Sequence, residues 1–534
     1  MKEKPKSKNL QTRITIMKRI LFLYIIACQW IACNNAQTEQ KKTTETYTAP
    51  QPSGKTGQEL STIYCGSCHA YPTPDLLDKA TWLKECLPNM GSRLGMHTEG
   101  YNPLRGLSAM DEYFIIEAKV FPQNPVLTQE DWQKIIDFYQ NAAPNQLPLQ
   151  PKHLPVKIGL PNFKIKKPNI TASLALTTLC QINGTASELY IGTMQGKLLV
   201  LDKQLQVTDS FQIASAPVSI FKKSDDIFDV LTMGEMRPTE EQKGVFQPIY
   251  KQNPKASNIQ EQIMGLKRPV QFEEVDLNND GKNEIVICQF GYQTGKLAWY
   301  DRPGNRWHEH ILSETPGASK AIPYDFNKDG KMDLAVLMAQ GDEHISIFYN
   351  KGNGEFEESV VLRFPPVYGS CDLQLVDFNK DGAMDLLYTN GDNADFSMIL
   401  KPYHGVRLYL NNGQNQFSEA FFYPMYGAFQ AAAADFDLDG DMDIVACSFF
   451  PDKIDKPESS VVYLEQTKPM VFQPYSFKEA IQGKWLTLDI GDLDQDGDTD
   501  IIIGSFLGYE RGSKERVKYI DTKMPFLYLE NKIK

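Results

Sequence analysis

Asp325-Phe326-Asn327-Lys328-Asp329-Gly330-Lys331-Met332-Asp333 runs straight into the apolar stretch Leu334-Ala335-Val336-Leu337, and the chain repeats this unit five times. The other copies begin at Asp276, Asp377, Asp435 and Asp492, so successive starts lie 49, 52, 58 and 57 residues apart. Oxygen-bearing side chains recur at positions 1, 3, 5 and 9. They are Asp276, Asn278, Asp280 and Glu284; Asp325, Asn327, Asp329 and Asp333; Asp377, Asn379, Asp381 and Asp385; Asp435, Asp437, Asp439 and Asp443; and Asp492, Asp494, Asp496 and Asp500. Such a loop suits a hard cation: oxygens at 1, 3 and 5 converge, glycine at 6 permits the sharp turn, position 7 offers its carbonyl and the acid at 9 closes the shell. Each loop then enters a strand, as in Ile285-Val286-Ile287 and Ile501-Ile502-Ile503, where an EF-hand would enter a helix.

A period near fifty residues, with several short strands per unit and turns such as Asn353-Gly354 and Asn412-Gly413, predicts the blades of a β-propeller. The loops, together with runs such as Asn353-Gly354-Glu355-Phe356, resemble the FG-GAP or VCBS repeat family, propellers of calcium-stapled blades related to the integrin head. That resemblance implies about five calcium ions with a structural role. Five divalent ions would bring the formal charge from −12 to about −2. Upstream, Glu188 to Gly192 with Gly196 to Leu201 reads as a blade hairpin without a metal loop, and Ala216 to Met233 as a second such unit. Two unmarked and five marked units give seven blades; six or eight stay open because the insert Glu235 to Ile263 interrupts the second unit. A strand near Phe163 to Lys167 is expected to pair with Leu527-Tyr528-Leu529 and close the ring.

The N-terminal part carries a different signal, Cys65-Gly66-Ser67-Cys68-His69. C-x-x-C-H is the attachment signature of a c-type haem: two thiols bond the porphyrin and the imidazole of His69 takes the proximal iron position. The competing readings are half a zinc site, with Cys86 and His97 as the nearest further ligands, and a dithiol redox pair, for which the flanking βαβ pattern is missing. Residues Gly57 to Pro144 read as helical, with Gln58 to Ile63 leading into the motif, a second helix through Asp78 to Leu87, and a last one N-capped by Thr128 carrying Trp132, Ile135, Ile136 and Tyr139.

This arrangement resembles a class I cytochrome c domain, which implies one haem c and a sixth iron ligand between motif and last helix. Met90 is favoured because Trp82 to Met90 looks like the W-x-x-x-x-L-P-x-M segment of haem domains in bacterial surface proteins. Met96, Met110 and His97 remain alternatives, and Met110 has the commoner family spacing. The fold class expected is therefore multidomain: a small all-α cytochrome c-like domain over residues 56–150, then an all-β propeller over residues 155–534.

Met17-Lys18-Arg19 before Ile20 to Ala27 reads as a secretion signal, its apolar run too short to span a bilayer. Trp30-Ile31-Ala32-Cys33 resembles a bacterial lipoprotein signal, with Cys33 lipidated and Cys28 as a rival, so residues 1–33 are expected to be a signal peptide and 34–55 a tether rich in Gln, Thr, Lys and Pro. The protein would then sit in the periplasm or on the cell surface, anchored to a bacterial bilayer. A net charge of −12 argues against nucleic acid as a partner. Cys86, Cys180, Cys288, Cys371 and Cys447 are read mostly as buried free thiols.

No Walker loop, H-E-x-x-H or G-x-S-x-G occurs in fitting context. The leading function is an electron carrier whose propeller serves as a docking or ligand-binding platform, with an unidentified redox partner and a possible glycan or protein ligand. The alternatives are a quinoprotein-type sugar or alcohol dehydrogenase with its own haem, and an adhesion module.

Overall fold

Apolar β-branched runs five or six residues long can be buried only between two other layers, and the second strand of each marked unit is buried along its whole length: Glu284–Gln289, Asp333–Met338, Asp385–Asn390, Asp443–Ser448 and Asp500–Ser505. Each is the second strand of a sheet packed face to face against its neighbours. The computed structural model describes residues 47–170, 172–254, 259–394, 398–508 and 519–533. Among them seven sheets follow one another along the chain, the first five each an antiparallel meander in sequence order and the last two each joined by a strand from before blade 1. The fold is a seven-bladed β-propeller.

Blade 1 is built from Thr177–Asn183, Glu188–Thr193, Lys197–Asp202 and Val207–Gln212. Blade 2 comprises Pro217–Ser224, Ile227–Thr232, Gly244–Tyr250 and Ile263–Leu266. The two unmarked units are thus complete blades, and the long insert supplies the third strand of blade 2 and leads into the fourth. Blades 3 to 7 open with Pro269–Val275, Ala318–Tyr324, Ser370–Val376, Ala428–Ala434 and Trp485–Gly491. The ring closes where Phe163–Lys166 pairs antiparallel with Phe526–Asn531, Ile165 opposite Leu529 and Lys166 opposite Tyr528, so the outer strand of blade 7 comes from the start of the propeller sequence. A further short strand, Lys157–Ile158, runs parallel to the outer strand of blade 6. Between blades, side chains of the inner strands reach their neighbours at six joints among the described residues. Thr178 Oγ1 donates to Pro217 O (2.7 Å), and Gln271 Oε1, Gln374 Oε1, Gln430 Oε1 and Asp489 Oδ2 accept from Ala321, Ala433, Leu488 and Ile182 N. Lys320 Nζ meets Asp372 Oδ1 at 3.0 Å.

The N-terminal region is a set of short helices. Helix α1, Gly57–Cys65, is held by a capping box between Thr56 and Glu59. A helical turn Lys79–Thr81 and a π-helical segment Trp82–Cys86 lead into α2, Leu87–Arg93, so the expected second helix continues past Pro88. Helix α3 is Ala109–Glu117, and α4, Gln129–Ala142, starts at Thr128, whose hydroxyl accepts from Asp131 N at 3.1 Å. Trp82, Leu87, Trp132, Ile135 and Tyr139 form their common core. A Cβ on Gly91 would sit 2.8 Å from the Trp132 ring, so the residue after Met90 must lack one. The described helices and the propeller belong to one compact unit that starts at Pro50. Of the expected tether, residues 47–55 carry no regular secondary structure, and Ser53 N donates to Asp131 Oδ2 (2.8 Å), tying its end to α4. The expected signal peptide, with Cys28 and Cys33, lies outside the described residues. No helix among the described residues is long and apolar enough to cross a membrane.

Candidate functional site: five acidic loops and a chamber beneath the helices

The acidic loops join the first strand of blades 3 to 7 to the second, and all five adopt one conformation. The carboxylate at position 1 accepts from the backbone N–H at position 6, at 2.8 to 3.1 Å in Asp276, Asp325, Asp377, Asp435 and Asp492. Position 5 accepts from position 7, as Asp329 Oδ1 does from Lys331 N at 3.0 Å. The glycine at position 6 has φ between 83° and 98°, the left-handed backbone that its lack of a Cβ allows. Position 4 is left-handed as well, with φ of 57° to 61°, although its occupants are Asn279, Lys328, Lys380, Leu438 and Gln495. Nothing in those residue types announces this; the loop geometry imposes it.

The acid at position 9 is also engaged inside its own blade. In the described structure it is buried and bonded to backbone: Asp333 accepts from Phe326 N (3.0 Å) and Asn350 N (2.8 Å), and Asp385 from Phe378 N (3.0 Å) and Asn411 N (2.8 Å). In blades 4 to 7 it fastens the loop to the third strand of its own blade. Oxygens of Asp435, Asp437 and Asp439, and of Asp492, Asp494 and Asp500, lie within 4.8 Å of one another. In blades 6 and 7 five carboxylates fall within nine residues, because Asp441 and Asp498 add to the pattern. Buried oxygens of Asp435, Asp441, Asp494 and Asp498 find no hydrogen-bond partner. Burial first, then neighbouring carboxylates, pushes Asp443 up to about 7 and Asp498 and Asp500 up to about 6. Crowded hard oxygen donors of this kind match a divalent cation.

Cys65 closes α1, and Gly66 to Cys68 form the turn after it, so the motif straddles a helix end and does not occupy one helical turn. Cys65, Cys68, His69 and Met90 all line one cavity of about 1810 Å³ between the helices and the propeller. The Nδ1 of His69 lies 2.9 Å from Ala70 O, which leaves Nε2 as the nitrogen facing a ligand. Tyr139 donates to Pro72 O (2.6 Å) and packs on Trp82 at 4.5 Å between ring centroids, forming a wall beside the motif. Burial pushes the Cys65 thiol up to about 11, opposite to the lowered value of a dithiol redox centre. Of the other candidate ligands, Met96 is buried in the helical core, Met110 is 53% exposed and His97 is exposed, and none lines the cavity. Cys86, Cys180, Cys288 and Cys447 are buried free thiols; Cys371 is half-buried. His310 stacks on Trp299 at 3.8 Å and meets Asp301 at 3.1 Å, a packing role for the Trp307 to His310 strand.

A profile of the FG-GAP-like repeat matches residues 276–336, 325–388 and 390–446, spans that take in the first four acidic loops. The chain carries FG-GAP-like repeats. No curated protein matches it in sequence. Similar solved structures include the Cps50 (Swd1) β-propeller domain of Myceliophteria thermophila, at 9% identity and a TM-score of 0.41, covering 68% of this chain and 98% of that one. The N-terminal domain of Nup159 gives 12%, 0.40, 71% and 98%, and the Pan2 WD40 domain of Neurospora crassa 11%, 0.40, 67% and 90%.

The FG-GAP loops and the chamber lie on opposite faces of the ring. The loops join first to second strands, whereas the segments that meet the helices join second to third strands or one blade to the next. Asp111 of α3 accepts from Thr239 Oγ1 and Glu240 N, both at 2.7 Å, in the blade 2 connection. Arg93 of α2 donates to Gln293 in blade 3, Tyr403 of blade 5 donates to Leu76 O (3.0 Å), and Val367 and Ile399 pack on the helical core. Sequence reasoning missed this docking, since Asp111, Thr239 and Glu240 carry no motif.

Proposed function

We propose that the protein is an exported electron carrier, anchored to a bacterial membrane through Cys33, in which the helices hold one covalent haem c and the FG-GAP propeller is a calcium-stapled platform. The observation that carries this reading is the shared cavity. Cys65, Cys68, His69 and Met90 all line it, and the Nδ1 of His69 is engaged by a carbonyl. Those donors fit a haem with Cys65 and Cys68 as attachment points, His69 as proximal ligand and Met90 as distal ligand. Bound there, the haem would supply a one-electron couple of the His/Met type. The residues' own part is to orient: the Ala70 carbonyl fixes the imidazole, while Trp82 and Tyr139 exclude water from that wall.

Calcium would occupy the five loops, held by the oxygens at positions 1, 3 and 5 with the position-9 acid behind them. The loops face away from the chamber, so calcium staples blades and does not touch a cofactor there; this weighs against a quinoprotein dehydrogenase, in which calcium bridges a quinone. The redox partner is unidentified, and no nucleic-acid partner is proposed. A glycan or protein ligand on the propeller fits the second reading, a docking or adhesion module, which the FG-GAP repeats favour on their own.

The test is expression of residues 34–534 with c-type maturation, followed by oxidised and reduced spectra after denaturing extraction. Haem retained with a low-spin spectrum that Met90→Ala alters is expected; absence of covalent haem would refute the electron-carrier reading and leave the binding module.

A further inference from the structure

Arg93 lies three residues past Met90 in α2, so the two side chains share a helix face, and both line the chamber. Arg93 is exposed there, while the protein packed around the chamber pulls its guanidinium below the usual arginine value, by burial first. Its neighbours are neutral. The guanidinium lies 5.6 Å from the centroid of the Phe121 ring and donates through Nη2 to Gln293 Oε1, and among the described residues no carboxylate pairs with it. Lys320, which also lines the chamber, is by contrast paired with Asp372. An arginine carries five N–H donors in a planar fork that matches a carboxylate, and the Gln293 amide takes only one of them.

Gln293 is itself held in place. Glu240, 2% exposed, accepts from Gln293 N (2.6 Å) and Thr294 N (3.3 Å) through one oxygen and from Thr294 Oγ1 (2.6 Å) through the other, while its own N–H donates to Asp111 Oδ1 (2.7 Å). Gly291 makes the turn at a φ of 70°, where a Cβ would meet Thr294 O at 1.8 Å. One buried carboxylate thus ties α3, the blade 2 connection and the turn that carries Gln293 into a single unit. We infer that the propeller builds part of the haem pocket: Gln293 of blade 3 positions Arg93, and Arg93 binds a carboxylate of the haem. This rests on the electron-carrier reading and supplies what that reading lacks, since haem brings two carboxylates while Cys65, Cys68, His69 and Met90 answer only its attachment and its iron. A cation held beside the haem favours the reduced, less positive iron, so a propeller side chain takes part in setting the potential.

Redox titration of the mature chain carrying covalent haem, compared with Arg93→Met, Gln293→Met and the double variant, tests this. Low-spin spectra should be unchanged, because His69 and Met90 remain. Arg93→Met should lower the midpoint potential enough to change the oxidised-to-reduced ratio at fixed poise about tenfold, which is about 59 mV for one electron. Gln293→Met should shift it the same way by less and add nothing in the Arg93→Met background, an outcome that a merely structural glutamine would not give. Tm is the second readout: Arg93→Met should lower it more in the haem protein than in the same chain produced without haem. Parental potentials in both single variants, additive shifts in the double variant, or equal falls in Tm with and without haem would overturn the proposal. Haem present with parental potentials refutes only the roles of Arg93 and Gln293, whereas no covalent haem in the parent chain refutes the electron-carrier reading and these roles with it.

Discussion

Removing calcium should unfold the propeller at a much lower temperature, and the size of the effect follows from the five loops. A site with a dissociation constant near 10 µM contributes about 2.7 kcal/mol at 1 mM free calcium, so five independent sites contribute about 13 kcal/mol. At about 2.1 cal/mol/K per residue, a propeller of roughly 370 residues has an unfolding entropy near 0.8 kcal/mol/K, which converts that loss into a fall of about 17 °C in Tm. The crowding in blades 6 and 7 should make them the most dependent, since Asp435, Asp441, Asp494 and Asp498 each bury an oxygen without a hydrogen bond. Scanning calorimetry in 1 mM calcium and in excess chelator measures the shift, and elemental analysis of the dialysed protein counts the ions, about five per chain. Asp439→Ala should remove one ion and lower Tm by about 3–4 °C in calcium, by the same conversion. An unchanged Tm on chelation would refute the calcium assignment, whatever the loops look like.

Met90→Ala should abolish the His/Met spectrum of the reduced protein while covalent haem is retained; an unaltered spectrum would move the sixth ligand elsewhere. Burial pushes Asp489 up to about 6 although it accepts from Ile182 N, with Lys320 lowering and Asp372 raising it. Unfolded aspartate titrates near 3.9, so the folded state holds more protons between about 4 and 6. This residue's contribution to stability therefore falls as pH rises through that window and is constant above it. Asp489→Asn should make the fall of the urea midpoint between pH 4 and 6 shallower, and an unchanged slope would refute the assignment. Asp111→Ala leaves Thr239 Oγ1 and Glu240 N without their acceptor and should cost about 2–4 kcal/mol of docking. Faster hydrogen exchange in residues 57–142 with blades 4 to 7 unchanged is the expected readout; uniform exchange would place the carboxylate outside the latch.

The blades were legible because each loop writes its geometry into side chains: an oxygen at positions 1, 3, 5 and 9 and a glycine at 6 cannot be placed otherwise. Even the closing strand could be foreseen, since an unpaired edge at Phe526–Asn531 needed a partner and Phe163–Lys166 was the free strand-like run. The left-handed residue at position 4 could not be seen, because Asn279, Lys328 and Leu438 share nothing but their place in the turn. The π-helical segment Trp82–Cys86 and the break of the motif after Cys65 were equally hidden, since both arise from how the helices pack. Least visible was the chamber. Its walls come from residues hundreds of positions apart, brought together by the docking of Asp111 on the blade 2 connection, Arg93 on blade 3 and Leu76 on blade 5.

The strand that closes the ring gives the fold a direction in time. Phe163–Lys166 is made before blade 1 and Phe526–Asn531 after blade 6, so a chain delivered from its N-terminus cannot complete blade 7 until the other six blades have emerged. Until then the early strand must wait with its backbone groups exposed, and blade 1 has only one neighbour. Premature termination anywhere before Asn531 would leave an open arc with two edges, not a smaller ring. Closure of the ring is therefore postponed until blade 7 is made, when the four-residue pairing and the bond from Ile182 N to Asp489 together join its last blade to its first.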